Sequence, residues 1–160
     1  MIVYTLQEFC KFFQQGKPLL SIDYGCKKLG IAISTPDHHL PMPLQIITGE
    51  SEKKKLQEII TITKEKDICA IVVGLPINMD GTKSGQTLLA EKFTEKLANR
   101  TNLAIFMQDE RLTSKAADNL LKDFGIKRKD RNSKDDLAAA SMILETTLDS
   151  ARKLLSQNDS

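Results

Sequence analysis

The sequence contains no tryptophan, and only two tyrosines and six phenylalanines among its 160 residues. So small an aromatic share argues against an RNA reader that stacks bases on exposed rings. Cysteine is scarce as well. Cys10, Cys26 and Cys69 are odd in number and lack the C-x-x-C spacing of a zinc or redox site, which points to a reducing, cytoplasmic setting. Long apolar runs are missing: the longest, "ICAIVVGLPI", is too short to cross a bilayer, and "MIVYTLQEFCKFF" has neither a basic n-region nor a small-residue cleavage site. Neither export nor a membrane partner is expected.

What is present is ordinary in bulk, with 41% hydrophobic and 28% charged residues and a net charge of +2. A chain of 160 residues suits one domain with a real core. The expectation is a single domain over 1–160, with 1–17 as an N-terminal helical extension and 150–160 as a C-terminal tail. The charge, however, is uneven. Residues 122–134, "KDFGIKRKDRNSK", carry Lys122, Lys127, Arg128, Lys129, Arg131 and Lys134 against Asp123 and Asp130, a local charge of +4. Such a stripe on a near-neutral body fits contact with a polyanion, although a solvated loop can have the same composition.

Residues 5–15 place Leu6, Phe9, Phe12 and Phe13 at helical spacing. Three strands are predicted next, at 19–24, 29–34 and 41–48, with a turn around Tyr24 to Lys28: an antiparallel meander. The pattern then alternates: helix 51–66, strand 68–74, helix 84–99, strand 103–108, helix 113–123, the basic loop and helix 135–154. Alternating helices and apolar strands imply right-handed crossovers and parallel pairing. The fold class expected is therefore α/β, a mixed five-stranded sheet packed with helices. No repeat or linker divides the chain.

Asp23 stands in the apolar run "PLLSIDYGCKKLGIAIS", where a carboxylate is costly unless it is paired, hydrogen-bonded, metal-bound or protonated. Further acids fall at informative places. Asp109 and Glu110 follow the strand "LAIFM", and Asp135 and Asp136 open the last helix. In open α/β sheets such positions gather on one edge. Each has a plainer explanation: first-turn acids suit the helix macrodipole in any protein, and Asp109 and Glu110 could pair with Arg111 as loop charges. Carboxylates brought to one edge would repel one another unless a divalent cation joined them, and oxygen-only donors suit Mg²⁺ or Mn²⁺. Two such ions can activate water and steady the leaving oxygen of a phosphodiester. His38 and His39 have no third partner at ligand spacing and read as surface residues.

Four stretches, "SIDYGCKKLGIAIS", "VVGLPINMDG", "QDERLTSKAA" and "DLAAASMILETTLD", occur in that order. In them the chain resembles the YqgF family, also called RuvX, of the ribonuclease H-like superfamily, over about residues 18 to 149. The resemblance implies a ribonuclease H-like sheet with helices on both faces and a hydrolase acting on ester bonds, a metal-dependent nuclease that processes the 5′ end of the 16S ribosomal RNA precursor. Two alternatives stay open: a Holliday junction resolvase, and an inactive nucleic-acid-binding module. An actin-like ATPase, whose first phosphate loop "DYGCKKLGIAIS" also resembles, would need two lobes and a longer chain.

Carried over by residue, the acids that would hold Mg²⁺ or Mn²⁺ are Asp23, Glu110 and Asp136. Asp135 is the rival for the third place; aligning "MIL" and Glu145 with the family's run favours Asp136. The expected nucleic-acid contacts are Lys27, Lys28, Arg111, Lys127, Arg128, Lys129, Arg131 and Lys134, which would neutralise phosphates, with Gly74 admitting the backbone and Asn78 donating to a phosphate. The family commonly has Arg at Lys28, so this chain keeps the charge there but not the bidentate fork. The expected partner is precursor ribosomal RNA or branched DNA, bound by a monomer or weak homodimer.

Overall fold

A computed structural model describes residues 1–112 and 133–158. Its sheet is built from β1 (Ile2–Val3), β2 (Leu19–Tyr24), β3 (Lys28–Ser34), β4 (Pro41–Thr48), β5 (Ala70–Leu75) and β6 (Ala104–Asp109). The helices are α1 (Leu6–Cys10), α2 (Glu52–Glu65), α3 (Gly85–Ala98) and α4 (Ser133–Asn158), and a 3₁₀ turn, Glu110–Leu112, follows β6. Strand order is β1-β6-β5-β2-β3-β4. β2, β3 and β4 form the antiparallel meander, while β2–β5, β5–β6 and β1–β6 pair in parallel.

Local chemistry accounts for the boundaries. Ser51 and Ser84 cap α2 and α3 through their hydroxyls, and Thr87 completes a capping box at α3. β4 carries Pro41 and Pro43, which lack ladder donors and are tolerated because this strand is an edge.

Side chains alternate between two cores. Leu20, Ile22, Ile31, Ile71, Val73 and Ile105 face α2 and α3, where Leu56, Ile59, Phe93 and Leu97 cover them. Leu19, Ala32, Val72 and Ala104 face the other way, beneath Phe9 of α1 and Ala140, Ile143, Leu144 and Leu148 of α4. The expected α/β class with helices on both faces is present.

Three expectations are corrected. The sheet has six strands: β1 has two residues, too few to show alternation in sequence. The helix expected over 5–15 ends at Cys10; Phe9 is buried and Phe13 packs beside it, while Phe12 is left exposed. The segment expected as a C-terminal tail is helical to Asn158, and Ala151 is buried within it. The helix expected over 113–123 and the basic loop after it lie outside the described residues.

Candidate active site

The end of β2 places Asp23. Pairing runs in parallel from Leu19↔Ala70 to Ile22↔Val73, so Asp23 and Gly74 stand one residue further along adjacent strands. On its other side Asp23 pairs with Gly30 of β3. Strand alternation puts Leu19, Ser21 and Asp23 on the α4 face, together with Val72 and Gly74 of β5. Asp23 is half-buried there.

Glu110 reaches the same spot from β6. Gly74 pairs with Gln108, and two residues later the chain enters the 3₁₀ turn with Glu110 only 7% exposed. A Cβ placed on Gly74 would lie 2.5 Å from Glu110 Oε1 and 2.5 Å from Ile143 Cδ1. The bare backbone of Gly74 is thus the floor on which the Glu110 carboxylate and the α4 side chain rest. The close approach predicted for a nucleic-acid backbone at Gly74 is made instead by these two side chains.

The adjacent acid has a different fate. Asp109 is clasped by Arg111: the Arg111 backbone N–H donates to Oδ1 at 2.9 Å, Nε to both carboxylate oxygens at 3.2 and 3.1 Å, and Nη2 to Oδ2 at 2.7 Å. These bonds hold the Asp109 carboxyl below its ordinary pKa and raise that of Arg111. The guanidinium expected to neutralise substrate phosphates is therefore engaged by its own neighbour, because one strand end turns both side chains to the same side.

Arg111 also braces the loop after β5. Its Nη1 lies 3.3 Å from the Cβ position of Gly81, which holds φ +88°. The loop is a small hairpin: Ile77 bridges Lys83, Asn78 N donates to Thr82 O, and Gly81 N donates to Asn78 O. Asn78 Nδ2, expected to donate to a phosphate, donates here to Thr82 Oγ1 at 3.0 Å. The Thr82 hydroxyl and amide both donate to Asp80, holding its carboxyl below the usual range.

Lys27 is exposed in the turn after Asp23, and Lys28, also exposed, opens β3. A residue not anticipated from sequence supports that turn. Lys55 of α2 is 6% exposed, and its Nζ donates to the Cys26 carbonyl at 3.2 Å. Three consecutive lysines, Lys53 to Lys55, hid which one turns inward.

Asp135 and Asp136 lie in the first turn of α4. At about 100° per residue, position 136 falls in line with Ala140, Ile143 and Thr147, whereas position 135 is about 100° round the helix. Lys134 lies in the same first turn, and Lys127, Arg128, Lys129 and Arg131 lie outside the described residues. The described histidines are remote in role: His38 shares a hydrogen bond with the Lys17 carbonyl at 2.8 Å, and His39 is exposed.

Among the described residues no group of three His, Cys, Asp or Glu side chains gathers. The two described acids that converge, Asp23 and Glu110, offer only carboxylate oxygens. That donor chemistry fits a hard divalent cation and not a soft one.

A mixed sheet whose central strand ends in an acid, with a second acid crossing its neighbour and a long helix over both, is a ribonuclease H-like fold. It is shared with Thermus thermophilus RuvC, solved with a Holliday junction substrate, at a TM-score of 0.59 and 16% identity over 86% of this chain and 96% of that one. Residues 17–150 match the RuvX family, described as Holliday junction resolvase, and the chain belongs to that family. It is 50% identical over 154 residues to a Rickettsia peacockii protein and 51% identical over 154 to one from Rickettsia felis, in each case over 96% of this chain and 100% of the relative. Both relatives carry the name "Putative pre-16S rRNA nuclease".

Proposed function

We propose that this chain is a divalent-metal-dependent nuclease that trims the 5′ end of the small-subunit ribosomal RNA precursor by hydrolysing a phosphodiester bond. The observation that carries the reading is the convergence of Asp23 and the buried Glu110 over Gly74, beneath the helix that brings Asp136. The name of relatives half identical along the whole chain supports the substrate.

Asp23, Glu110 and Asp136 would hold Mg²⁺ or Mn²⁺, and the helical position of Asp136 favours it over Asp135. When bound, such ions activate water and stabilise the leaving oxygen. The chain's own residues do the rest. Burial fixes Glu110 against Gly74 and Ile143, so its carboxylate is held in place before substrate arrives. Lys27 and Lys28 are exposed beside Asp23 and hold substrate phosphates, with Lys127, Arg128, Lys129, Arg131 and Lys134 adding positive charge; affinity then falls steeply with salt. Cys10, Cys26 and Cys69 are all unpaired, which supports a reducing, cytoplasmic setting.

The test incubates the protein with Mg²⁺ or Mn²⁺ and either precursor ribosomal RNA or a synthetic four-way junction. Asp23→Asn is the control. The expected result is cleavage of the precursor that disappears in Asp23→Asn while binding and folding persist. Full metal-dependent activity in that variant would overturn the site. The family's description favours a second reading, junction resolution, and cleavage of the junction alone would select it. A symmetric junction cutter needs two copies, so a strictly monomeric protein in solution argues against that version.

A further inference from the structure

Among the described residues, two fully buried side-chain hydrogen bonds link the sheet to a helix, and both go to α4. Ser21 Oγ donates to the Ala140 carbonyl at 2.7 Å, and Thr147 Oγ1 donates to Gln108 Oε1 at 3.0 Å. Ser21 and Thr147 are 0% exposed and Gln108 7%. Each sheet residue stands two places before an acid of the site: Ser21 before Asp23 on β2, Gln108 before Glu110 at the end of β6. Between them, on β5, Ile143 rests against Gly74. Each of the three central strands thus touches α4 on one stripe, positions 140, 143 and 147, and position 136 continues that stripe by one turn.

Apolar packing is non-directional, and the α4 face mixes the small Ala139 and Ala140 with Ile143, Leu144 and Leu148. A buried hydrogen bond is directional: although the Thr147 hydroxyl also lies 3.2 Å from the Ile143 carbonyl of its own helix, a slip of α4 strands the Ser21 hydroxyl and Gln108 Oε1 on the sheet, where water cannot replace their partners. Two such bonds, seven residues or about 10 Å apart along the axis, fix both the axial position and the rotation of α4.

We propose that Ser21, Gln108 and Thr147 are positioning residues, fixing the register of α4, whose first turn contains Asp136, against the strand ends that carry Asp23 and Glu110. The inference rests on the reading of Asp23, Glu110 and Asp136 as one metal-binding set. It makes the same polar pairs responsible for helix docking and for metal affinity.

The experiment measures Mn²⁺ affinity by titration without nucleic acid, alongside thermal midpoint and far-UV circular dichroism. Its variants are Ser21→Ala, Thr147→Val, Thr147→Ser, the double Ser21→Ala/Thr147→Val, and Asp23→Asn. Removing either hydroxyl should weaken Mn²⁺ binding about tenfold, in the range set by groups that orient ligands. Thr147→Ser should restore it, the double variant should lose more than either single one, and Asp23→Asn should lose most. Folded Ser21→Ala and Thr147→Val that bind Mn²⁺ like the wild type, with only a lower midpoint, would overturn the inference and leave the site standing. Undiminished binding by Asp23→Asn would instead overturn the site and the inference with it. Should Thr147→Val fail to fold, Ser21→Ala carries the test, since it removes one hydroxyl from a carbonyl that α4 can itself satisfy.

Discussion

The two faces of the sheet are packed by different chemistry. Against α2 and α3 the contact is made by large apolar side chains, with Phe93, Leu97, Leu56 and Ile59 on Ile22, Ile71, Val73 and Ile105. Against α4 the strands present Leu19 and Val72 among smaller residues, Ala32, Ala70, Ala104 and Gly74, interrupted by Ser21 and Gln108, with Asp23 and Glu110 at the rim. One face is packed by apolar side chains; the other adds two buried hydrogen bonds from the sheet to α4.

That division can be broken from either side. Glu110→Gln should have the largest effect, a fall in cleavage rate of about 10³-fold or more, or about 4 kcal/mol of barrier, with the thermal midpoint little changed. Phe93→Ala should do the reverse. A cavity under α3 costs about 3–4 kcal/mol, read as a shift in denaturant midpoint, while the fraction still folded cleaves at the normal rate. Gly74→Ala tests the boundary between the two regions, since its methyl would displace Glu110 or Ile143. It should cost about 1–3 kcal/mol of stability and about 10²-fold in rate, both measurable on one preparation.

The smallest effect concerns Asp109. Its carboxyl titrates below its unfolded value because Arg111 bonds the charged form, so its contribution is fully present above an unfolded pKa of about 4 and is lost as pH falls through the lower folded one. Asp109→Asn should therefore cost about 0.5–1 kcal/mol near neutrality and progressively less as pH falls through the folded pKa, in denaturation curves compared with the wild type. A gap that widens on acidification would contradict that pairing.

The long elements were legible because apolar blocks of strand length alternate with helical spacing: β4 occupies 41–48 as read, and α2 and α3 lie within the predicted helices. β1 was not, since two residues carry no period. Asp23 and Glu110 stood out as charges after apolar runs. Gly74 drew notice as a strand-end glycine, but what approaches it depends on β6 and α4, which meet it only in three dimensions. Arg111 read both as a phosphate contact and as a partner for Asp109 or Glu110, and the 3₁₀ turn sets which acid it clasps, Asp109. Ser21 and Gln108 left a usable trace, a polar residue inside each apolar run at the same parity as the acid two places later.

The order in which contacts become available during synthesis follows from the strand order. The meander β2–β3–β4 closes through local turns within residues 19–48, but Ile2 has no partner until Ile105 exists, and the face that carries Leu19 and Val72 has only α1 to cover it until Ile143 to Leu148 arrive. At about 5–20 residues per second, roughly 5–20 s separate β1 from its mate. A chain cut after β6 would be an aggregation-prone sheet with one side covered by α1 alone, and a ribosome stalled there would present a substrate for chaperones.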